Sequence, residues 1–104
     1  MAKITKKQQK TFEQEVHKIM EQYGCIEEEN SSYTHAVDTS VGKVLICVED
    51  NTGSTVYAVY VYFEDHEKAV QKGLCRSSNA KYNILSFNVL DVLLVFNQLL
   101  RKIV

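Results

Sequence analysis

The chain has 104 residues and a formal net charge of −1, so we expect one domain over residues 1–104 and no bulk attraction to nucleic acid or membranes. Hydrophobic residues make up 45% and charged residues 24%, which is typical of a globular protein. The three cysteines form no CxxC motif, and the polar, basic start has no apolar stretch like that of a signal peptide. We therefore expect reduced thiols and a cytoplasmic location.

The first predicted element is a helix from Thr5 to Tyr23. Thr5 and Gln8 have the spacing of a capping box, and Gly24 is suited to the left-handed conformation that ends a helix. The apolar residues recur at intervals of three and four, as expected for one buried stripe. They are Phe12, Val16, Ile19, Met20 and Tyr23. The segment that follows, Glu27 to Ser32, is predicted to be a polar, acidic loop.

A three-stranded antiparallel meander is predicted next. Its strands are Tyr33–Thr39, Val44–Val48 and Thr55–Phe63, and glycine-containing turns separate them. The third strand, TVYAVYVYF, is apolar or aromatic on both faces, and one face carries Tyr60 and Tyr62. This pattern predicts either a strand covered on both sides or a tyrosine side that is half exposed.

The last part of the chain predicts a short helix, a strand and a long helix. The short helix runs from His66 to about Lys72 behind an Asp65 cap, and the strand is Lys81–Phe87. Asn88 caps the final helix, Val89–Val104. The predicted fold class is α+β, with an antiparallel sheet of three to four strands, helices at both ends and the order α-β-β-β-α-β-α.

The final helix is apolar nearly all round, which indicates that it needs cover on most sides. A small monomer has little material for such cover, so part of this helix is predicted to lie in an interface. We take Leu93, Phe96 and Leu100, together with Tyr60 and Tyr62, as interface candidates. The alternative is that other elements of the same chain cover the whole helix.

Three kinds of chemical site have candidate residues, but each has a simpler structural explanation. A metal site would draw on the histidines and cysteines, which are scattered along the sequence without ligand spacing; they are His17, His35, His66, Cys25, Cys47 and Cys75. Cys75 beside Arg76 is the best nucleophile candidate, because a cation lowers a thiol pKa. The acid/base candidates are Glu64, Asp65 and Glu67, where the cap of the short helix suffices as an explanation. We predict no enzyme, no metal and no cofactor.

Nucleic-acid binding is the alternative function. Its phosphate-contacting candidates are Lys68, Lys72, Arg76 and Lys81. A second basic cluster lies at the start of the first helix, and it consists of Lys3, Lys6, Lys7 and Lys10. With the tyrosines these clusters could resemble an RNA-reading sheet, but 12 basic residues face 13 acidic ones and no RNA-binding strand motif is present. Nucleic acid is therefore not the favoured partner.

The middle third of the chain contains a tyrosine-rich strand, Phe-Glu-Asp, Lys-Ala in a short helix, a Ser/Asn loop and Lys-Tyr-Asn. This pattern resembles that of small uncharacterised proteins of bacteriophages and mobile elements. Its residues here are Phe63, Glu64, Asp65, Lys68, Ala69, Ser77, Ser78, Lys81, Tyr82 and Asn83, and Ala80 stands where the pattern has glycine. The resemblance implies a phage or mobile-element source and brings no known activity with it.

These observations together predict a non-enzymatic interaction protein that acts by binding a host or viral protein, with inhibition of that protein as one outcome. A homodimer and a hetero-complex both remain open. The resemblance places such a protein in the cytoplasm of a bacterial host.

Overall fold

The structure, a computed structural model, describes residues 2–28 and 33–104. Over these residues the chain forms three helices and five strands. In chain order they are α1 (Lys6–Gln22), β1 (Ile26–Glu27), β2 (His35–Thr39), β3 (Gly42–Val48), β4 (Tyr57–Phe63), α2 (His66–Gln71), β5 (Lys81–Ser86) and α3 (Val89–Ile103). The predicted α+β class is confirmed.

The strands form one antiparallel sheet in the order β1-β2-β3-β4-β5, so every strand pairs with its neighbour in sequence. The sequence predicted three to four strands, and the addition is β1, which pairs Ile26 with Ala36 and Glu27 with His35. The order is therefore α-β-β-β-β-α-β-α. Of the loop predicted over Glu27–Ser32, Glu27 belongs to β1, and residues 29–32 lie outside the described residues.

Helix α1 begins at the predicted capping box. The Gln8 N–H donates to Thr5 Oγ1 (3.1 Å), and the Thr5 N–H donates to Gln8 Oε1 (2.9 Å). These two bonds satisfy main-chain donors that a helix start leaves unpaired. Gly24, with φ +75°, follows the helix in the left-handed conformation.

Helices α1 and α3 pack on the same face of the sheet and enclose the core. Two hydrogen bonds support this arrangement. The Tyr23 hydroxyl, at the end of α1, donates to Asn97 Oδ1 in α3, and the Ser40 N–H, in the turn between β2 and β3, donates to the Ile103 carbonyl at the end of α3 (2.8 Å). The bulkiest fully buried side chains lie between the helices and the sheet. They are Phe12, Phe63, Phe96, Met20, Ile46 and Leu100.

Strand β4 shows that the helices cover only one side of the sheet. Alternate residues of β4 point into the core with exposures of 8% or less; these are Tyr57, Val59, Val61 and Phe63. Tyr60 and Tyr62, on the opposite face, are half-buried and do not belong to the core. Of the two arrangements that the sequence left open, the structure has the half-exposed tyrosine side.

Candidate binding surface

The uncovered side of the sheet is built from two cross-strand rows. In one row Leu45 of β3, Tyr62 of β4 and Lys81 of β5 lie side by side. In the other row the neighbours are Cys47, Tyr60 and Asn83. Because side chains alternate between the faces of a strand, this register brings residues from three strands onto one surface.

Two further residues extend this surface. The Tyr33 ring lies 5.7 Å from the Tyr62 ring, measured between centroids, at an interplanar angle of 31°. Leu85, two residues beyond Asn83 on β5, leaves 53% of its surface exposed. We call this surface the tyrosine face; it consists of Tyr33, Leu45, Cys47, Tyr60, Tyr62, Lys81, Asn83 and Leu85.

A shallow depression of about 250 Å³ lies within the tyrosine face. Its lining includes Tyr33, Glu49, Tyr60, Lys81 and Asn83. Aromatic faces, hydroxyls, an amide and one charge of each sign therefore meet here. Such a mixture suits a peptide surface, which also combines apolar groups with hydrogen-bonding groups.

The end of β3 beside the depression is held from the core side. The buried side chain of Gln9 in α1 donates from Nε2 to the Glu49 carbonyl (2.9 Å). Its Oε1 accepts from the Asn51 N–H (3.4 Å). One amide thus anchors the β3–β4 connection to α1, which fixes where Glu49 lies relative to the tyrosines.

Comparisons with protein family models, with curated proteins and with solved structures find no match for this chain. The resemblance to phage and mobile-element proteins therefore stays a prediction.

The predicted interface residues of α3 need a correction. Phe96 and Leu100 have no exposed surface, and Leu93 is partly buried against the core. The apolar residues that α3 does expose are Leu90 at 71% and Leu94 at 56%. The helix has surplus apolar surface as expected, but a contact with a partner could not use Phe96 or Leu100 without unpacking the core.

The predicted phosphate-contacting residues all lie on the surface, but only some lie near the tyrosines. Lys81 belongs to the tyrosine face, and Arg76 lines a neighbouring groove that also includes Lys81. Lys68 and Lys72 are exposed in and just after α2. The cluster at residues 3–10 lies at the start of α1, and its lysines do not contribute to the lining of the depression in the tyrosine face.

The cysteines have environments that oppose thiolate formation. Burial raises the pKa of the Cys25 thiol to about 11. Burial also raises the pKa of Cys47, with a further contribution from the Glu49 carboxylate. The pKa of Cys75 is raised by burial too, so the prediction that Arg76 lowers it is wrong. Since the thiolate is the nucleophile, the environments of these three cysteines disfavour nucleophilic attack.

Two of the histidines contact each other, and the third contacts a main-chain carbonyl. His17 and His35, distant in sequence, meet edge to face with ring centroids 5.0 Å apart. His66 instead contacts the Arg76 carbonyl through Nε2 (2.8 Å). In the described part of the chain no three His, Cys, Asp or Glu side chains are grouped so as to hold a metal ion.

One of the three acidic candidates, Asp65, has the structural role that the sequence predicted. Asp65 Oδ1 accepts from the Lys68 N–H (3.1 Å), as expected for the cap of α2. Glu64 and Glu67 are exposed. Within residues 2–28 and 33–104, moreover, no helix has the length and apolar character needed to cross a membrane.

Sequence reasoning missed several members of the tyrosine face. Tyr33, Cys47, Asn83 and Leu85 carry no local signal of a shared surface. The signal that could have found them is the alternation of β5: once β5 is placed beside β4, residues 81, 83 and 85 must share a face with 60 and 62.

The His17–His35 contact predicts a pH dependence of stability. Burial lowers the pKa of His35, the His17 charge lowers it further, and Glu27 acts weakly in the opposite direction. The folded state therefore binds the His35 proton less readily than the unfolded state, whose histidine pKa is about 6.5. The contribution of His35 to the free energy of unfolding should be complete above that pKa. It should decline as the pH falls below it.

Urea unfolding measured between pH 7.5 and pH 5.5 tests this expectation. We expect the free energy of unfolding to fall over this range in the wild type and to fall less in His35→Gln. His17→Gln should give an intermediate slope, because it removes only the electrostatic contribution of His17. A wild-type slope retained in His35→Gln would show that another group causes the pH dependence.

Proposed function

We propose that this protein is a non-enzymatic binding protein whose tyrosine face contacts another protein. The observation that carries the proposal is a five-stranded sheet with helices on one side only and half-buried tyrosines on the other. Tyrosine is enriched at protein interfaces, because it contributes a large contact area and a polar tip at low entropic cost. Leu45 and Leu85 add apolar area beside it.

The charge of the tyrosine face supports a protein partner over a polyanion. Among the described residues that form the tyrosine face, Lys81 is the only cation, and Glu49 lines the depression within this face. A surface that binds nucleic acid needs several cations, because its affinity comes chiefly from the neutralisation of several phosphates. The net charge of −1 supports the same choice.

The partner is either a second copy of this chain or a different protein. The resemblance to phage and mobile-element proteins supports a host or viral protein in the cytoplasm of a bacterial host, whose activity would be blocked by the contact. A homodimer through the tyrosine face would bury the same residues and would show as a doubled mass in light scattering.

Affinity capture with matched variants tests this proposal. The tagged wild type, Tyr60→Ser/Tyr62→Ser and the control Leu90→Ser/Leu94→Ser would each be expressed in cells of the native source and recovered after nuclease treatment. We expect the wild type and the control to retain the same partner and the tyrosine variant to lose it. Circular dichroism would establish that all three are folded. Equal recovery by all three proteins would count against the tyrosine face.

Nucleic-acid binding remains the second candidate function, because Lys81 neighbours Tyr62 and Arg76 lies in the adjoining groove. A base stacked on a tyrosine with a nearby cation is the usual arrangement for single strands. A gel-shift assay at low salt with single-stranded DNA and RNA decides this alternative. Absence of retardation would remove it, and retardation abolished by Lys81→Glu would favour it over a protein partner.

A further inference from the structure

The outer edge of β5 carries main-chain groups that no described strand uses. The Phe63 N–H donates to the Ala80 carbonyl (3.0 Å), which sets the hydrogen-bonding phase between β4 and β5. In an antiparallel pair, alternate residues direct both main-chain groups towards the partner strand. In β5 these residues are Tyr82, Ile84 and Ser86. The residues between them direct their main-chain groups outward, and they are Lys81, Asn83 and Leu85.

Part of this edge is already closed by a side chain. Asn79 Oδ1 accepts from the Lys81 N–H (3.0 Å), which agrees with the outward direction derived above. The groups left for a new strand are the Lys81 carbonyl and both main-chain groups of Asn83 and Leu85. An unpaired edge of this kind is a template for an additional strand.

A groove of about 590 Å³ lies beside the first half of this edge, where Lys81, Tyr82 and Asn83 contribute to its lining. Its lining includes Arg76 and Lys81, and no carboxylate of the described chain lines it. Neither cation is in an ion pair there, since the ion pairs found in residues 2–28 and 33–104 are Lys18–Glu15 and Lys43–Glu28. The groove therefore offers strand-pairing groups beside two uncompensated positive charges.

We propose that the edge of β5 accepts an extended, acidic segment of a partner protein by strand addition. The main-chain groups of Asn83 and Leu85 pair with the segment, and Arg76 and Lys81 bind its carboxylates. Main-chain hydrogen bonds give affinity in this mode, and side-chain contacts give specificity. The inference rests on the proposed function in that the partner is a protein, and it adds how that protein is held.

Other occupants fit the groove less well. A nucleic acid can bind the cations, but it has no alternating N–H and C=O groups for a strand edge. A second copy of β5 has those groups, but its sequence KYNILS carries one cation and no carboxylate. An acidic extended peptide satisfies both the edge and the charges.

Binding of a model peptide to the ¹⁵N-labelled full chain tests the proposal. The probe is the capped hexapeptide Val-Glu-Val-Glu-Val-Glu, with Val-Lys-Val-Lys-Val-Lys as its control. We expect the amide protons of Asn83 and Leu85 to shift and to gain protection from hydrogen exchange. Those of Ile84 and Ser86, already bonded to β4, should change little. Arg76→Glu/Lys81→Glu should weaken binding at least about tenfold, which is about 1.4 kcal/mol.

Three outcomes would overturn the proposal. The first is that the acidic peptide does not bind, and the second is that the basic peptide binds equally well. The third is that a single-stranded oligonucleotide binds and displaces the acidic peptide. These results are separable from the capture experiment. If a partner is retained through the tyrosine face while the peptide fails, this inference falls and the proposed function stands; if neither ligand is bound, both fall.

Discussion

Replacing Phe96 with alanine is expected to lower the free energy of unfolding by about 3–5 kcal/mol, the usual cost of removing a fully buried phenylalanine. Phe96 has no exposed surface and lies among the largest buried side chains of the core. Truncation removes its contacts with the sheet and leaves a cavity that the surrounding side chains fill only in part. The loss would be a large fraction of the about 5–15 kcal/mol that stabilises a typical domain.

The matched control for this change is Leu94→Ala in the same helix. Leu94 is 56% exposed, so its truncation should change the free energy of unfolding by no more than about 0.5 kcal/mol. Urea unfolding followed by circular dichroism measures both variants. Similar losses for the two would mean that α3 is rotated about its axis relative to the structure described above, with Leu94 facing the core.

Adjacent aspartate substitutions in β5 should differ even more. Ile84 is 5% exposed and packs in the core, whereas Leu85 is 53% exposed on the tyrosine face. A carboxylate at position 84 would be buried without a partner, and we expect Ile84→Asp to cost more than about 4 kcal/mol or to prevent folding. Leu85→Asp should cost about 1 kcal/mol, chiefly through the low strand propensity of aspartate.

The comparison is sharp because both substitutions introduce the same charge in place of isomeric side chains. Thermal unfolding and the dispersion of the amide NMR spectrum measure the result. A folded Ile84→Asp protein with near wild-type stability, or an unfolded Leu85→Asp protein, would contradict the assignment of one covered and one uncovered face to β5.

The elements with local signals could be predicted from the sequence. Helix α1 has a complete capping box and one apolar stripe, so the predictions of its first residues and of its buried side were both correct. The caps Asp65 and Asn88 were also correct, because a short polar side chain before a helix has a direct local partner in the first turn. The Asn88 Oδ1 atom accepts from the Leu90 N–H (2.9 Å).

The features that depend on pairing between distant segments could not be predicted. Strand β1 has only two residues, and it exists because Ile26 and Glu27 pair with β2, which no local pattern shows. The contact between His17 and His35 likewise depends on how α1 crosses the sheet. In the same way, the residues of the tyrosine face can be recognised as neighbours only when the order of the strands is known.

The rotation of α3 about its axis could not be predicted, for a different reason. The apolar stripe of an amphipathic helix identifies the side that is buried. Because α3 is apolar nearly all round, the sequence alone does not determine which of its sides faces the core. The structure places the side with Phe96 and Leu100 inward and leaves Leu90 and Leu94 outside. The prediction of surplus apolar surface on α3 was therefore useful, while the choice of Phe96 and Leu100 as its interface residues was wrong.

The most direct test of the central claim is photo-crosslinking from the tyrosine face. The capture experiment would be repeated with p-benzoylphenylalanine in place of Tyr62, and in a control in place of Gln98, which is exposed on α3. We expect the partner protein to be crosslinked from position 62 and not from position 98. A partner crosslinked from position 98 and never from position 62 would contradict the claim that the uncovered side of the sheet is the binding surface.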